Sequence, residues 1–447
     1  MAHMIMYSRF KPFRAIIAGY AMLIAAGTFL LMLPVSSAVH ARQPMLDAFF
    51  TAVSAVTTTG LTLSDTAAYY SIFGQMVILV LIQICGLGYM IFVSMILMGF
   101  GRRSGVKNMM LIKESINSPT YESAVKFIKI AVIFTLVFEL LGTLILFVSW
   151  QGKMGAGTAL YQAFFHSVSA FCTAGFSTFE NGLAGFNHDN TMYAVVTLLC
   201  FAGGIGFFVL YDFYSYARGK IKREPRVHLK AHTKFAVITT AIILSAAVMI
   251  LYIMEHAAGE SMFQDIKDSV FQVVSASTTT GYNTVDIGAL HPSAALVLAV
   301  LMFIGAGPGS TAGGIKIISI GVLAVMFYSI VSGQKDAVVF KRKIPDNKIE
   351  TITAICFGAV AWVSAAMLAL LITEKQDFLK IFFEVMSAFG TAGLSMGITP
   401  ELTPAGKIII SLTMIFGRIG PLALGYSLVG GSAKTHLEYP EAEIIVG

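Results

Sequence analysis

Four short segments of this chain carry residue types that could strip and hold a monovalent cation. They are Thr57-Thr58-Thr59-Gly60, Cys172-Thr173-Ala174-Gly175, Thr278-Thr279-Thr280-Gly281 and Gly390-Thr391-Ala392-Gly393. Each ends ten positions after a Phe (Phe50, Phe165, Phe271, Phe383), with a Ser-Ala pair between and a Thr two positions before the Gly. Small and hydroxylated residues closing on Gly let the backbone leave helical geometry, because Gly alone takes positive φ without steric cost. Successive carbonyl oxygens can then face one axis. Four such segments around an axis make a ring of oxygens of the kind that replaces the hydration shell of a potassium ion. One copy alone would read as a close-packed helix interface; four copies in one register read as one unit used four times.

The elements that must position these segments follow from hydropathy. A run of only about a dozen apolar residues precedes each segment, too short for a bilayer that needs about 20. It reads as a re-entrant pore helix whose C-terminal dipole end favours a cation. Longer apolar runs flank every copy. Over 447 residues the chain is 56% hydrophobic and 12% charged, with mean hydropathy +0.78, against roughly 25% charged residues in soluble domains. That composition excludes a water-soluble globular fold. The net charge of +6 falls in short loops between apolar runs, where it sets orientation rather than binding nucleic acid. The expected fold is therefore an all-α membrane protein of four tandem helix–pore helix–helix repeats with pseudo-fourfold symmetry around one ion pore.

In chain order, residues 1–14 form a cytoplasmic N-terminus in which Met1-Ala2-His3-Met4 resembles a cloning remnant. Repeat 1 covers 15–100, with spans at about 15–33 and 72–100 around a pore segment at 45–57. Val39-His40-Ala41 resembles a signal-peptidase site, but cleavage would remove the first helix of repeat 1 and leave its pore segment, so retention is expected. A loop at 101–126 leads to repeat 2 at 127–217. The loop at 218–234 is the most basic, with Arg218, Lys220, Lys222, Arg223, Arg226, Lys230 and Lys234 against Glu224 alone. It is a topogenic signal that could also dock a partner or anionic lipid. Repeat 3 covers 235–331, a loop 332–348, repeat 4 349–430 and a tail 431–447 whose apolar end suggests packing at a subunit interface. If each repeat crosses out, dips and crosses back, all basic loops and both termini lie in the cytoplasm.

The returning helices carry glycines near their middles: Gly86 and Gly88, then Gly203, Gly204 and Gly206, then Gly417 and Gly420. In repeat 3 the break is extreme, Gly305-Ala306-Gly307-Pro308-Gly309-Ser310-Thr311-Ala312-Gly313-Gly314. Gly costs about 1 and Pro about 3 kcal/mol per helix-interior site, and unwound backbone at bilayer depth survives only where protein or a water-filled cavity satisfies it. The loop therefore belongs on the pore axis below the four segments. It mimics dinucleotide and phosphate-loop motifs, but no strand precedes it and Ile315 stands where a phosphate loop needs Lys. Lys316 and Arg418 are candidate intramembrane charges. Lys316 could snorkel instead, whereas the donors of Arg418 suit carbonyls freed by the loop. Glu139 is expected to be paired or beside a polar cavity. Cys85, Cys172, Cys200 and Cys356 show no metal or redox spacing and read as packing residues. His228 and His232 read as solvated surface.

Filters TTTGL, TAGFS, TTTGY and TAGLS, the loop GAGPGSTAGGIK and GRIGP in the last helix together resemble the Trk/Ktr/HKT superfamily of potassium transporters over nearly the whole chain. Length and short tails look most like a bacterial KtrB membrane subunit. The resemblance implies a homodimer with one pore per subunit in a bacterial plasma membrane, resting on a cytoplasmic octameric ring of KtrA-like regulatory subunits that bind nucleotide. It implies no enzymatic activity and no cofactor. Potassium would occupy the filter, and sodium would act as activator or as coupled ion. The family's filter glycines carry over to Gly60, Gly175, Gly281 and Gly393, its intramembrane gate to Gly305, Gly307, Pro308, Gly309, Ser310, Thr311, Gly313 and Gly314, and its fourth-repeat arginine to Arg418. The filters are looser than TVGYG, so less strict exclusion of sodium is expected. A coupled secondary transporter would instead predict inverted repeats and acids at depth, and a purely structural subunit would not need four filters in register.

Overall fold

The computed structural model describes residues 2–87, 121–180, 182–186, 189–224, 228–256 and 262–420. The last part of the first returning span with its Gly88, most of the loop 101–126, Arg226, and the sequence from 421 on, including the tail, lie outside them. Among the described residues the fold is almost entirely helical; one two-residue strand pair joins Val338–Val339 to Arg342–Lys343.

Each quarter of the chain has a leading helix, a short helix and a returning helix. The leading helices are Ala2–Leu31, Tyr121–Met154, Ala231–Glu255 and Asp346–Thr373. The last three contain stretches long and apolar enough to cross a membrane. Their outer faces are apolar too: Ile133, Leu140, Leu144, Ile242, Ile253, Phe357 and Leu368 are all exposed. An apolar surface of that extent is stable against lipid and a liability in water.

The short helices are Met45–Val56, Ala156–Phe171, Met262–Ser277 and Phe378–Gly390, and they form the centre of the molecule. The Phe that opens each motif is buried in every copy, which explains its fixed place ten residues before the Gly: it anchors the helix whose end delivers the segment.

The returning helices start alike. Ser71, Asp189, His291 and Thr403 each cap the first turn by accepting a backbone N–H, from Gly74, Thr191, Ser293 and Gly406, which satisfies donors that a helix start leaves orphaned. They also stop alike. Helices run Ile72–Gly86, Asn190–Ile205, Pro292–Ile304 and Pro404–Ile419, so the first helix of each returning segment stops before the end of its repeat. In the last three the physical reason is a glycine: Gly206, Gly305 and Gly420 take φ of 98°, 68° and 88°, which no helix continues through, whereas the first ends at a right-handed Leu87. In the second quarter the chain turns by 97° into Phe207–Ile221.

Two other glycines of the returning helices admit very close packing. A β-carbon on Gly417 would stand 1.8 Å from the carbonyl oxygen of Phe389, and one on Gly203 1.9 Å from that of Phe171. Gly203→Ala is therefore expected to cost more than the ~1–3 kcal/mol of ordinary overpacking. Thermal unfolding in detergent should show a clear drop in midpoint. Gly152→Ala, with nothing within 4 Å, should leave the midpoint unchanged or slightly raised.

Candidate ion-coordination site

The four motif segments share one backbone. Thr58, Thr173, Thr279 and Thr391 have φ of 53°, 50°, 54° and 53°, and Gly60, Gly175, Gly281 and Gly393 have 89°, 65°, 90° and 86°. Two left-handed positions separated by one residue bend the backbone of every segment in the same way, a conformation that costs a non-Gly residue of order 1–3 kcal/mol unless its surroundings hold it. The Ser-Ala pair does the holding. The N–H groups of Thr58, Thr173, Thr279 and Thr391 bond the carbonyls of Ala55, Ala170, Ala276 and Ala388 at 3.1–3.2 Å, and the next N–H in each copy bonds the preceding Ser carbonyl at 2.8–2.9 Å. The Ser hydroxyls finish the turn: Ser54 and Ser387 accept from the N–H of Gly60 and Gly393, while Ser169 and Ser275 donate to the carbonyls of Phe176 and Tyr282. Sequence reasoning noted the Ser-Ala pair as a marker and missed this role; its invariant register in all four copies was the available signal.

The segments meet in a closed cycle. A β-carbon built on Gly60 would stand 2.4 Å from the carbonyl oxygen of Ala174, one on Gly175 2.2 Å from that of Thr280, one on Gly281 2.2 Å from that of Ala392, and one on Gly393 2.1 Å from that of Thr59. Repeat 1 thus touches 2, 2 touches 3, 3 touches 4, and 4 returns to 1. All four glycines line one mouth of about 260 Å³, with Thr62, Asp65, Phe176 and Asn283 among its walls. The Tyr282 hydroxyl ties the third segment to the second by donating to the Phe176 carbonyl at 2.8 Å.

The glycine-rich stretch from Gly305 to Lys316 is non-helical between Ile304 and Ile317 and lies against the opposite end of the segments. Thr173 Oγ1 bonds Thr311 Oγ1 at 3.0 Å, and the Gly313 N–H donates to Thr279 Oγ1 at 3.2 Å. A β-carbon on Gly313 would reach Thr391 Oγ1 at 2.2 Å. The hydroxyls of Thr58 and Thr391 are buried with no hydrogen-bond partner among the described residues. The outer half of the loop is pinned to the broken second returning helix: Gly307 N–H to the Gly204 carbonyl, Thr311 N–H to Gly203, and Phe207 N–H to the Gly309 carbonyl. This holds Pro308 and Ser310 in the same turn, while Gly314 folds back on Gly305.

Both half-buried cations, Arg418 and Lys316, reach this loop. Arg418 donates to the Thr311 carbonyl and, at 2.7 Å, to that of Cys85. Lys316 does not snorkel: its Nζ turns back to the carbonyls of Ala312 at 2.6 Å and Gly313 at 3.0 Å. Three consecutive carbonyls are thereby occupied by two cationic side chains. Glu139 sits behind the second segment, accepting from Gln83 Nε2 at 3.3 Å with Cys172 Sγ 3.7 Å away. Its partners lie 56 and 33 residues off in sequence, which no local pattern could reveal.

Residues 9–428 match the family model described as TrkH, cation transport protein. The chain is 38% identical over 450 residues to the "Ktr system potassium uptake protein B" of Bacillus subtilis, an alignment that covers 99% of this chain and 98% of that protein. It is 34% identical to the protein of the same description from Vibrio alginolyticus, covering 97% and 94%. It is 32% identical to the "Potassium/sodium uptake protein NtpJ" of Enterococcus hirae, covering 98% and 98%. The crystal structure of the potassium transporter TrkH from Vibrio parahaemolyticus superposes with a TM-score of 0.73 at 21% identity, covering 93% of this chain and 84% of that one, which shows a shared fold. With four matching segments closed into a cycle, broken returning helices beneath them and a family match over almost its whole length, the chain belongs to the TrkH family of cation transport proteins.

Proposed function

We propose that this protein is the potassium-conducting membrane subunit of a bacterial uptake system, and that Thr57–Gly60, Cys172–Gly175, Thr278–Gly281 and Gly390–Gly393 are its ion-coordinating filter. The observation that carries the proposal is the closed cycle of four segments with one shared left-handed backbone. That backbone turns carbonyls to one side, and a ring of carbonyls substitutes for water around a dehydrated cation. The hydroxyls of Thr58 and Thr391, without a hydrogen-bond partner among the described residues, leave further oxygen lone pairs at the inner end. Relatives described as potassium uptake proteins support potassium as the ion.

The loop from Gly305 to Gly314 is the gate. It lies against the inner ends of the segments and is fastened there by Arg418 and Lys316. A positive side chain beside a cation path also raises the barrier to potassium. A cytoplasmic regulatory ring that binds nucleotide, of the KtrA kind, opens the gate by moving the helices that flank the basic loops. The relatives' description as parts of a Ktr system supports such a partner. A homodimer, cytoplasmic termini and sodium as activator complete the reading.

Potassium uptake into proteoliposomes tests it. Purified protein should pass potassium down its gradient, and an inward sodium gradient should not drive potassium against one. Uptake against the potassium gradient that collapses when sodium is equalised would replace the channel reading with a coupled transporter, towards which the potassium/sodium description of one relative points.

A further inference from the structure

We infer that Gln75, Tyr193 and Lys407 are positioning residues for the filter, each fixing the short helix of the next repeat through one polar contact, and that the Lys407–Asp47 ion pair closes the ring. The inference rests on the filter reading above and deepens it.

The register is what singles these residues out. Counted from the capping residue of each returning helix, the fourth position is Gln75 after Ser71, Tyr193 after Asp189, Ala295 after His291 and Lys407 after Thr403. Three of the four carry a side chain with a polar end, and each of the three crosses to the following repeat. Gln75 Oε1 accepts from the Tyr161 hydroxyl at 2.6 Å. The Tyr193 hydroxyl donates to Asp268 Oδ1. Lys407 Nζ meets Asp47 Oδ1 at 2.6 Å. Their partners also occupy one place: Asp47 and Asp268 stand three residues before the buried Phe50 and Phe271, and Tyr161 four before Phe165. In the third returning helix the equivalent residue is Ala295, fully buried, and that seam closes by backbone contact instead, with a β-carbon on Gly390 only 2.2 Å from the Met302 carbonyl.

The function follows from where the contacts sit. Each short helix is one rigid body with its segment, because the Ser-Ala carbonyls and the first N–H groups of the segment are bonded directly. A tilt of the helix therefore moves the carbonyls at its end. Repeats 1 to 2, 2 to 3 and 3 to 4 are also joined by the chain itself, whereas repeat 4 meets repeat 1 only through side chains and backbone contact. Lys407–Asp47 bridges that open seam. Its side chains are 18% and 27% exposed, so the pair is screened less than a surface ion pair. Asp268 is further oriented by Gln264 Nε2 at 2.8 Å and Thr284 Oγ1 at 3.0 Å, and Gln75 by its bond to the Tyr70 carbonyl at 2.9 Å, so each contact has a fixed direction.

The test compares potassium and sodium flux into proteoliposomes for the parent, Asp47→Asn, Lys407→Met, the exchange Asp47→Lys with Lys407→Asp, and Tyr193→Phe. The single charge-removing variants should lower the potassium-to-sodium flux ratio by about tenfold, the order expected for losing one charge-assisted hydrogen bond. The exchange should restore most of it. Tyr193→Phe removes one oxygen and keeps the ring in place, so it reads the second seam even if an Asp47 variant does not fold, and it should lower the ratio in the same direction. A parent that discriminates while Asp47→Asn, Lys407→Met and Tyr193→Phe discriminate equally well overturns the inference and leaves the filter standing. Loss of discrimination that the exchange does not restore overturns the closing role of the ion pair. A parent that shows no preference for potassium overturns the filter reading itself.

Discussion

With the glycine loop as the proposed gate, Arg418→Gln is expected to raise potassium flux and to make it less dependent on the proposed regulatory partner and its nucleotide. In the parent, the guanidinium holds the Thr311 and Cys85 carbonyls together, joining the glycine loop to the first returning helix. A hydrogen bond from a charged group contributes about 1.5–3 kcal/mol net, so losing one shifts a closed-to-open equilibrium by roughly tenfold or more. Glutamine retains a donor but neither the reach nor the charge, so both the latch and the electrostatic barrier weaken. The loop's remaining fastenings, Gly307 to Gly204, Thr311 to Gly203 and Phe207 to Gly309, are backbone bonds that persist, so the open state becomes more populated without becoming permanent. Deleting residues 305–314 removes these as well and gives the larger increase. Flux assays with and without nucleotide and partner decide it. Parental rates with full nucleotide control in a folded, loop-deleted protein place the gate elsewhere.

Gly281→Ser has the opposite effect: potassium flux falls and preference for potassium over sodium weakens. Gly281 has φ of 90°, where a side chain costs of order 1–3 kcal/mol, and its β-carbon would lie 2.2 Å from the Ala392 carbonyl oxygen. Neither the Thr280 nor the Ala392 carbonyl can keep its place. Because the segments touch in a cycle, displacement at this junction passes to the fourth segment and from there to the first. A folded Gly281→Ser protein with the parental potassium-to-sodium ratio would separate these residues from selectivity.

Much of this site could be read from residue types alone, because it is built by repetition. Four Phe-to-Gly registers announce four equivalent turns, and five glycines with a proline announce a break in the third returning helix. The contacts that hold those parts in place were less legible. Arg418 was expected to satisfy freed loop carbonyls, and Thr311 is among its acceptors; that Cys85 is the other depends on a helix more than three hundred residues away in the chain. Lys316 looked equally able to reach the membrane surface, and only the path of the loop turns it towards Ala312 and Gly313. The returning helices read as continuous because single glycines such as Gly206 and Gly420 are tolerated within apolar runs. Gly206 takes its positive φ against the Pro308 carbonyl of the glycine loop, a contact between distant parts of the chain that local composition does not show. The polar contacts from Gln75, Tyr193 and Lys407 are long-range pairs that become visible once the four capping residues align the helices.

The most direct test of the central claim is where the ion sits. Thallium, a heavy mimic of potassium, can be located by anomalous diffraction in crystals of the parent protein. The account predicts thallium on the line enclosed by Gly60, Gly175, Gly281 and Gly393, ringed by the carbonyl oxygens of Thr59, Ala174, Thr280 and Ala392 and displaced by excess potassium. Thallium bound only away from that line, in protein that still takes up potassium, would contradict it.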